Sequence, residues 1–244
     1  MRTARALWRL VRSVLHVLRG LAIVLWRFPG LDAAGRHECI RKWSVGLLHS
    51  VGMELRVTGT PQQGATLVVA NHVSWIDIAA IHTAVPQARF VSKADVLRWP
   101  LLGRLISGAG TLFIERERKR DAVRVVHAMA EALRAGDTVA IFPEGTTGTG
   151  PELLPFHANL LQAAVATGTP VQPVVLRYAD TVRRCSDVVV YQGTTTLLQS
   201  IWRVVSGSGL CVHVDVLPAV SARPGDRRAL ALELREAMAE RLRA

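Results

Sequence analysis

The sequence predicts an α/β fold, a sheet covered by helices, with a basic helical segment ahead of it. Three observations predict it. Half of the 244 residues are hydrophobic and a fifth are charged, enough apolar matter for a sizeable core and too much for an intrinsically disordered chain. From Glu54 onward, short β-branched runs alternate with helical patterns, the rhythm of strands joined by helices. The charge is unevenly spread: 30 Lys and Arg against 19 Asp and Glu leave a net +11. Residues 1–44 hold nine basic residues (Arg2, Arg5, Arg9, Arg12, Arg19, Arg27, Arg36, Arg41 and Lys42) and two acidic ones (Asp32 and Glu38), which is +7 of that total. The length suits one domain with an appendage. The charge places the division at a docking segment, 1–44, and a main domain, 45–244.

In chain order the first element is a helix on which Arg5, Arg9, Arg12, His16 and Arg19 recur at steps of 4, 3, 4 and 3, one narrow polar stripe. Leu7, Trp8, Leu10, Val11, Val14, Leu15, Leu18 and Leu21 cover the rest. The longest charge-free stretch here is seven residues, 20–26, well short of the roughly 20 that a spanning helix needs. No small-residue cleavage site follows an apolar core, so a signal peptide fits poorly. A helix lying in the membrane interface, arginines among anionic headgroups, fits this pattern. The alternative is a basic amphipathic helix packed on the protein's own core. Nucleic-acid binding is disfavoured, because no interleaving of aromatic and basic residues and no recognition motif accompanies the charge.

The body then reads as strands at residues 54–58, 66–70, 89–92, 111–114, 138–142, 171–177, 187–191 and 210–217. The helices read as 75–83, 100–107, 119–135, 158–167, 197–205 and 227–242, with Gly136 placed as a C-cap. Residues 153–176 carry no charge and are long enough to imitate a membrane span. Pro155, Asn159, Gln162, Gly168, Pro170 and Pro173 break the run into helix, turn and buried strand. The three cysteines, Cys39, Cys185 and Cys211, form no Cys-x-x-Cys pair. That disfavours a disulfide framework or a structural zinc site and favours a reducing compartment.

Three clusters carry chemistry. The first, Asn71-His72-Val73-Ser74-Trp75-Ile76-Asp77, follows an apolar strand and opens a helix, where α/β sites form. A histidine can take a proton from a hydroxyl near neutral pH, and a carboxylate can fix its tautomer. Ser74 with Asp77 three residues on also reads as a helix-capping box, and Asp77 could serve that alone. The second cluster, Phe142-Pro143-Glu144-Gly145-Thr146-Thr147-Gly148-Thr149-Gly150, again leaves an apolar strand. It is either an anion cradle of backbone N–H groups or a plain glycine-rich turn; it lacks the Gly-Lys-Ser/Thr ending of a P-loop. The third is Phe113-Ile114-Glu115-Arg116, where an arginine could clamp a phosphate with its planar fork. Residues 117–120 read as a solvated charge run. A serine hydrolase built on Ser74 is disfavoured, since no Gly-x-Ser-x-Gly elbow exists.

His-x4-Asp, then Phe-x-x-Arg, then Phe-Pro-Glu-Gly-Thr, with Val171-Gln172-Pro173-Val174 downstream, resemble the glycerolipid acyltransferases over about residues 45–220. The resemblance implies a mixed, largely parallel sheet covered by helices. It implies transfer of an acyl group from acyl-CoA or acyl-carrier protein, as co-substrate with no tightly bound cofactor and no metal, to the hydroxyl of lysophosphatidic acid. By that resemblance His72 is the general base and Asp77 its orienting partner. Arg116, with Glu144, Gly145 and Thr146, holds the acceptor's phosphate and glycerol end, and Lys93 adds a second cation. Its implied place is the cytoplasmic face of the inner membrane, peripheral or shallowly inserted, against an anionic leaflet. One residue departs from the pattern: phosphatidate-forming members often carry arginine where this chain has Thr147. Phe-Pro-Glu-Gly-Thr-Thr with Leu154-Pro155-Phe156 resembles a subgroup that includes lyso-ornithine-lipid acyltransferases. The other acceptor reading is therefore a different lysolipid such as lyso-ornithine lipid, and the non-enzymatic one is a membrane-binding module.

Overall fold

The computed structural model describes residues 2–93, 102–114, 119–222 and 225–244. Helix α1 (Arg2–Ala22) runs through a π-turn (Ile23–Arg27) and a 3-10 turn (Phe28–Gly30) into α2 (Ala33–Ser50), which Asp32 caps by accepting from the Gly35 N–H at 2.8 Å. Then come β1 (Met53–Thr58), β2 (Thr66–Ala70), α3 (Asp77–Ala84), β3 (Arg89–Lys93), α4 (Leu102–Gly108), β4 (Leu112–Ile114), α5 (Lys119–Arg134) and β5 (Thr138–Ile141). A 3-10 turn (Ala158–Leu161) leads into α6 (Gln162–Thr167), followed by β6 (Val171–Ala179), α7 (Leu197–Ser206), β7 (Leu210–Val216) and α8 (Arg227–Arg243).

Seven strands form one sheet in the order β1-β7-β6-β2-β5-β3-β4. Every neighbouring pair is parallel except β6 with β7, so the sheet is mixed and largely parallel. All five residues of β2 are buried, as a central strand covered on both faces requires. The pleat sends alternate residues to opposite sides. Val68 and Ala70 join the core beneath α2, α3 and α7, while Leu67 and Val69 join the core beneath α5, α6 and α8.

Three features depart from what the sequence alone suggests. Residues 187–191 form no strand: the Val190 N–H donates to the Asp187 carbonyl and the Tyr191 N–H to the Val73 carbonyl. Val189 is fully buried while its neighbours are half-buried or exposed, so this β-branched run pins a loop to the core through one side chain, and burial is what β-branched composition reports. Second, α2 is a helix the periodicity does not announce, and it runs unbroken across residues 44 and 45, burying Leu47 and Leu48.

Third, the polar stripe of α1 turns partly inward. The Arg9 guanidinium donates to the carbonyls of Val205 and Gly207, satisfying the open carbonyl end of α7, where a cation also meets the negative pole of the helix. Ser13 meets Ser50 at 3.0 Å, and the His16 ring reaches the Trp43 carbonyl at 2.8 Å. Arg5, Arg12 and Arg19 remain exposed. Because small and polar residues face the protein, the opposite side of α1 is left open with Leu7, Trp8, Val11, Val14, Leu15 and Leu18 on it. No described helix is long and apolar enough to cross a membrane.

Candidate active site

Strands β2, β5 and β6 are parallel, so their C-terminal ends share one edge of the sheet. At that edge the chain leaving β2 must turn before α3, and Asn71 holds the turn. Its side-chain oxygen accepts from the Leu176 N–H at 2.7 Å and its amide donates to the Leu176 carbonyl at 2.9 Å, imitating a further strand residue against β6. This fixes the backbone one residue before His72.

His72 and Asp77 meet. The His72 Nδ1 lies 2.8 Å from Asp77 Oδ2. The same oxygen accepts from the Val73 N–H at 2.7 Å and the Ser74 N–H at 2.9 Å, while Oδ1 accepts from the Tyr178 hydroxyl at 2.5 Å. Asp77 is completely buried; four donors on one carboxylate are what an ionised acid needs there. An acceptor-only partner requires His72 Nδ1 to carry the hydrogen, which leaves Nε2 as the basic nitrogen. The carboxylate reaches back to the N–H groups ahead of α3 as a capping acid does and holds the imidazole as well. Ser74 contributes only its N–H; its hydroxyl is buried without a hydrogen-bond partner. The His72 ring stacks on Phe142 with centroids 4.0 Å apart, and 22 % of its side chain stays exposed, so solutes can reach it.

The Phe142–Gly150 turn wraps around the same backbone. Glu144 is buried, and its two oxygens accept from the His72 N–H at 2.8 Å and the Leu154 N–H at 2.9 Å. Burial raises its pKa, opposed by those two backbone donors. Its carboxylate therefore supports the backbone that carries His72 from behind. The Gly148 N–H returns a 2.6 Å bond to the His72 carbonyl. Gly145 adopts φ of 71°, a left-handed conformation that favours glycine, and it is exposed with Thr146. Thr147 donates to the Tyr191 carbonyl and accepts from Gln192 Nε2 on its own carbonyl, so the position often filled by arginine serves as a clasp to the 187–192 loop.

Lys93 ends β3, on the same edge of the sheet as His72. Arg116 and Glu115 lie outside the described residues. Sequence reasoning missed Tyr178 and Asn71 as site residues. The available signal was a tyrosine near the end of a largely buried strand, since a buried phenol needs a hydrogen-bond partner. Among the described residues no group of three or more His, Cys, Asp or Glu side chains converges as metal ligands do.

Comparison with known proteins places this geometry. Residues 54–177 match the family model described as Acyltransferase. The chain is 36 % identical over 241 residues to a lyso-ornithine lipid O-acyltransferase of Pseudomonas aeruginosa, covering 96 % of this chain and 92 % of that one. It is 37 % identical over 228 residues to a 1-acyl-sn-glycerol-3-phosphate acyltransferase of Neisseria meningitidis, covering 88 % and 89 %. Among solved structures, the 1-acyl-sn-glycerophosphate acyltransferase PlsC of Thermotoga maritima superposes with a TM-score of 0.75 at 21 % identity, over 100 % of this chain and 97 % of that one. That last likeness is one of fold.

Proposed function

The chain belongs to the acyltransferase family and is an O-acyltransferase, and on that premise we propose that it acylates the free hydroxyl of lysophosphatidic acid, giving phosphatidic acid for phospholipid synthesis. The observation that carries the proposal is the His72–Asp77 pair at 2.8 Å, held in one tautomer at the mouth of the sheet. His72 Nε2 takes the proton of the acceptor hydroxyl as its oxygen attacks the carbonyl carbon of an acyl thioester, on CoA or acyl-carrier protein. Asp77 stabilises the imidazolium that results. The tetrahedral intermediate collapses with loss of the C–S bond, and the imidazolium returns its proton to the leaving thiolate. The acceptor hydroxyl attacks the thioester directly, with no acyl-enzyme. Lys93, Arg116, Gly145 and Thr146 bind the phosphate and glycerol end of the acceptor, and the outward apolar face of α1 docks on an anionic leaflet at the cytoplasmic face of the inner membrane.

Thr147 favours a second reading. The clasp to Tyr191 and Gln192 uses this residue for structure and supplies no cation where an acceptor phosphate would want one. Several of the similar proteins are named lyso-ornithine lipid O-acyltransferase. The experiment is an acceptor screen with purified protein and a single acyl donor. Turnover on lysophosphatidic acid well above that on lyso-ornithine lipid supports the first reading; the reverse order establishes the second.

A further inference from the structure

We infer that Tyr178 is a positioning residue of the catalytic pair: its hydroxyl, donated to Asp77 Oδ1, sets the pH at which the His72–Asp77 couple gives up its proton. The inference rests on the reading of His72 as the general base. Tyr178 lies on β6, 101 residues from Asp77, and its approach has a structural cause. Strand β6 delivers Val174, Leu176 and Tyr178 to one face of the sheet, and Leu176 is the residue that Asn71 grips. The clamp that fixes the His72 turn thereby fixes the strand that carries the phenol. The hydroxyl is then 2.5 Å from a carboxylate that is itself wholly buried.

The two oxygens of Asp77 have unequal neighbours. Oδ2 takes three N–H donors, from His72, Val73 and Ser74, whereas Oδ1 takes the Tyr178 hydroxyl. Burial, reinforced by the adjacent Asp77 charge, pushes the Tyr178 phenol well above its ordinary pKa, so it stays protonated and remains a donor across the working range of pH. A donor aimed at a buried anion disperses the charge that would otherwise hold the imidazolium. The couple therefore releases its proton more readily than a three-donor carboxylate would allow. Among the described residues the ionisable groups around this cluster include Asp77 from α3, Tyr178 from β6 and Glu144 from the turn after β5, with His157 packed against Gly145 and with Cys185 and Arg177 lining a small cavity beside Val73 and Tyr178. Glu144 spends both oxygens on backbone N–H groups and none on the ring.

Tyr178→Phe removes one oxygen and leaves the ring in the core. Losing a hydrogen bond to a charged partner should move the acidic limb of the pH–kcat profile upward by about one unit. On the acidic side of that limb kcat should fall by about tenfold, with acceptor KM unchanged. The direction does not depend on which member of the couple takes the proton, because the pair titrates as a unit. A second measurement keeps the hydroxyl. The chain has two tyrosines, so 3-fluorotyrosine incorporated into Tyr191→Phe protein labels Tyr178 alone; its more acidic phenol donates more strongly and should move the limb downward, judged against unlabelled Tyr191→Phe. Opposite shifts in the two proteins establish the role. An unmoved limb in the fluorinated protein, or in a folded Tyr178→Phe, overturns it, even if activity falls. The parent reading fails separately: normal turnover in folded His72→Ala would remove the base itself.

Discussion

Replacing Asp77 by asparagine separates the charge of the His72–Asp77 pair from its architecture. Three N–H donors converge on Oδ2, but Oδ1 receives a hydroxyl, and a hydroxyl can reverse and accept. The substituted amide can therefore keep its carbonyl oxygen at the Oδ2 place and turn its NH2 toward Tyr178. The bonds from His72, Val73 and Ser74 survive, and what is lost is the negative charge facing the imidazolium. At an effective dielectric constant of about 20 and a charge separation of roughly 4 Å, that interaction is about 4 kcal/mol, or roughly a thousandfold in rate if fully expressed at the transition state. We expect Asp77→Asn to fold with a nearly unchanged melting temperature, to retain acceptor KM, and to lose kcat by roughly 10²–10³. Asp77→Ala is the contrast. It strands the Val73 and Ser74 N–H groups and the Tyr178 hydroxyl in the core at about 1–3 kcal/mol each, a large fraction of a typical domain's stability, and should melt far lower. Thermal unfolding and steady-state kinetics on both variants provide the test. Wild-type turnover in Asp77→Asn, or unfolding as severe as in Asp77→Ala, would refute the reasoning.

Two other outcomes follow from the same structure. His82 is buried with Nε2 3.0 Å from the Ala88 carbonyl, and burial lowers its pKa from the ordinary 6.5 to about 4; the native state excludes a proton that the unfolded chain accepts, so stability present above pH 6.5 drains away as pH falls to 4, by about 3 kcal/mol. Urea titrations at both pH values should show this loss in the parent and not in His82→Gln, and an equal loss in both would assign the acid sensitivity elsewhere. On α1, Trp8 and Leu15 are 62 % and 60 % exposed, so changing both to serine should leave the melting temperature intact yet weaken binding to anionic vesicles by roughly 10²–10⁴-fold, at roughly 1.5–3 kcal/mol for each side chain no longer buried in lipid. Arg9→Ala, which unbinds α1 from α7, should instead lower the melting temperature; unchanged vesicle binding in the double serine variant would dispose of α1 as the docking face.

What the sequence displays is whatever is local in it. The strands at 54–58 and 66–70 and the His72–Asp77 pair are legible because five or six residues determine each. The α2 helix is not, because Arg36, His37, Glu38, Arg41 and Lys42 interrupt its apolar period and glycines dilute it. One of those glycines has a partner no spacing rule reveals: a Cβ at Gly46 would lie 2.4 Å from His16, and one at Gly20 2.3 Å from Trp43, so each helix of the hairpin gives up a side chain to the other's ring. The inward turn of the α1 stripe follows from the same packing. Tyr178 escapes notice because the bond that matters spans 101 residues. Glu144 shows the remaining limit, since a motif fixes that a carboxylate is present but not which way it faces, and here two backbone donors draw it inward.

The proposed chemistry turns on His72 moving the proton of the acceptor hydroxyl. Its most direct measurement is single-turnover acyl transfer by folded His72→Ala, paired with equilibrium binding of the acceptor. The rate should fall by roughly 10²–10⁴, the range a general base supplies, while acceptor affinity stays within a factor of about two, since a group acting only on the proton adds little to ground-state binding. A rate near that of the parent, in protein shown to be folded, would contradict it.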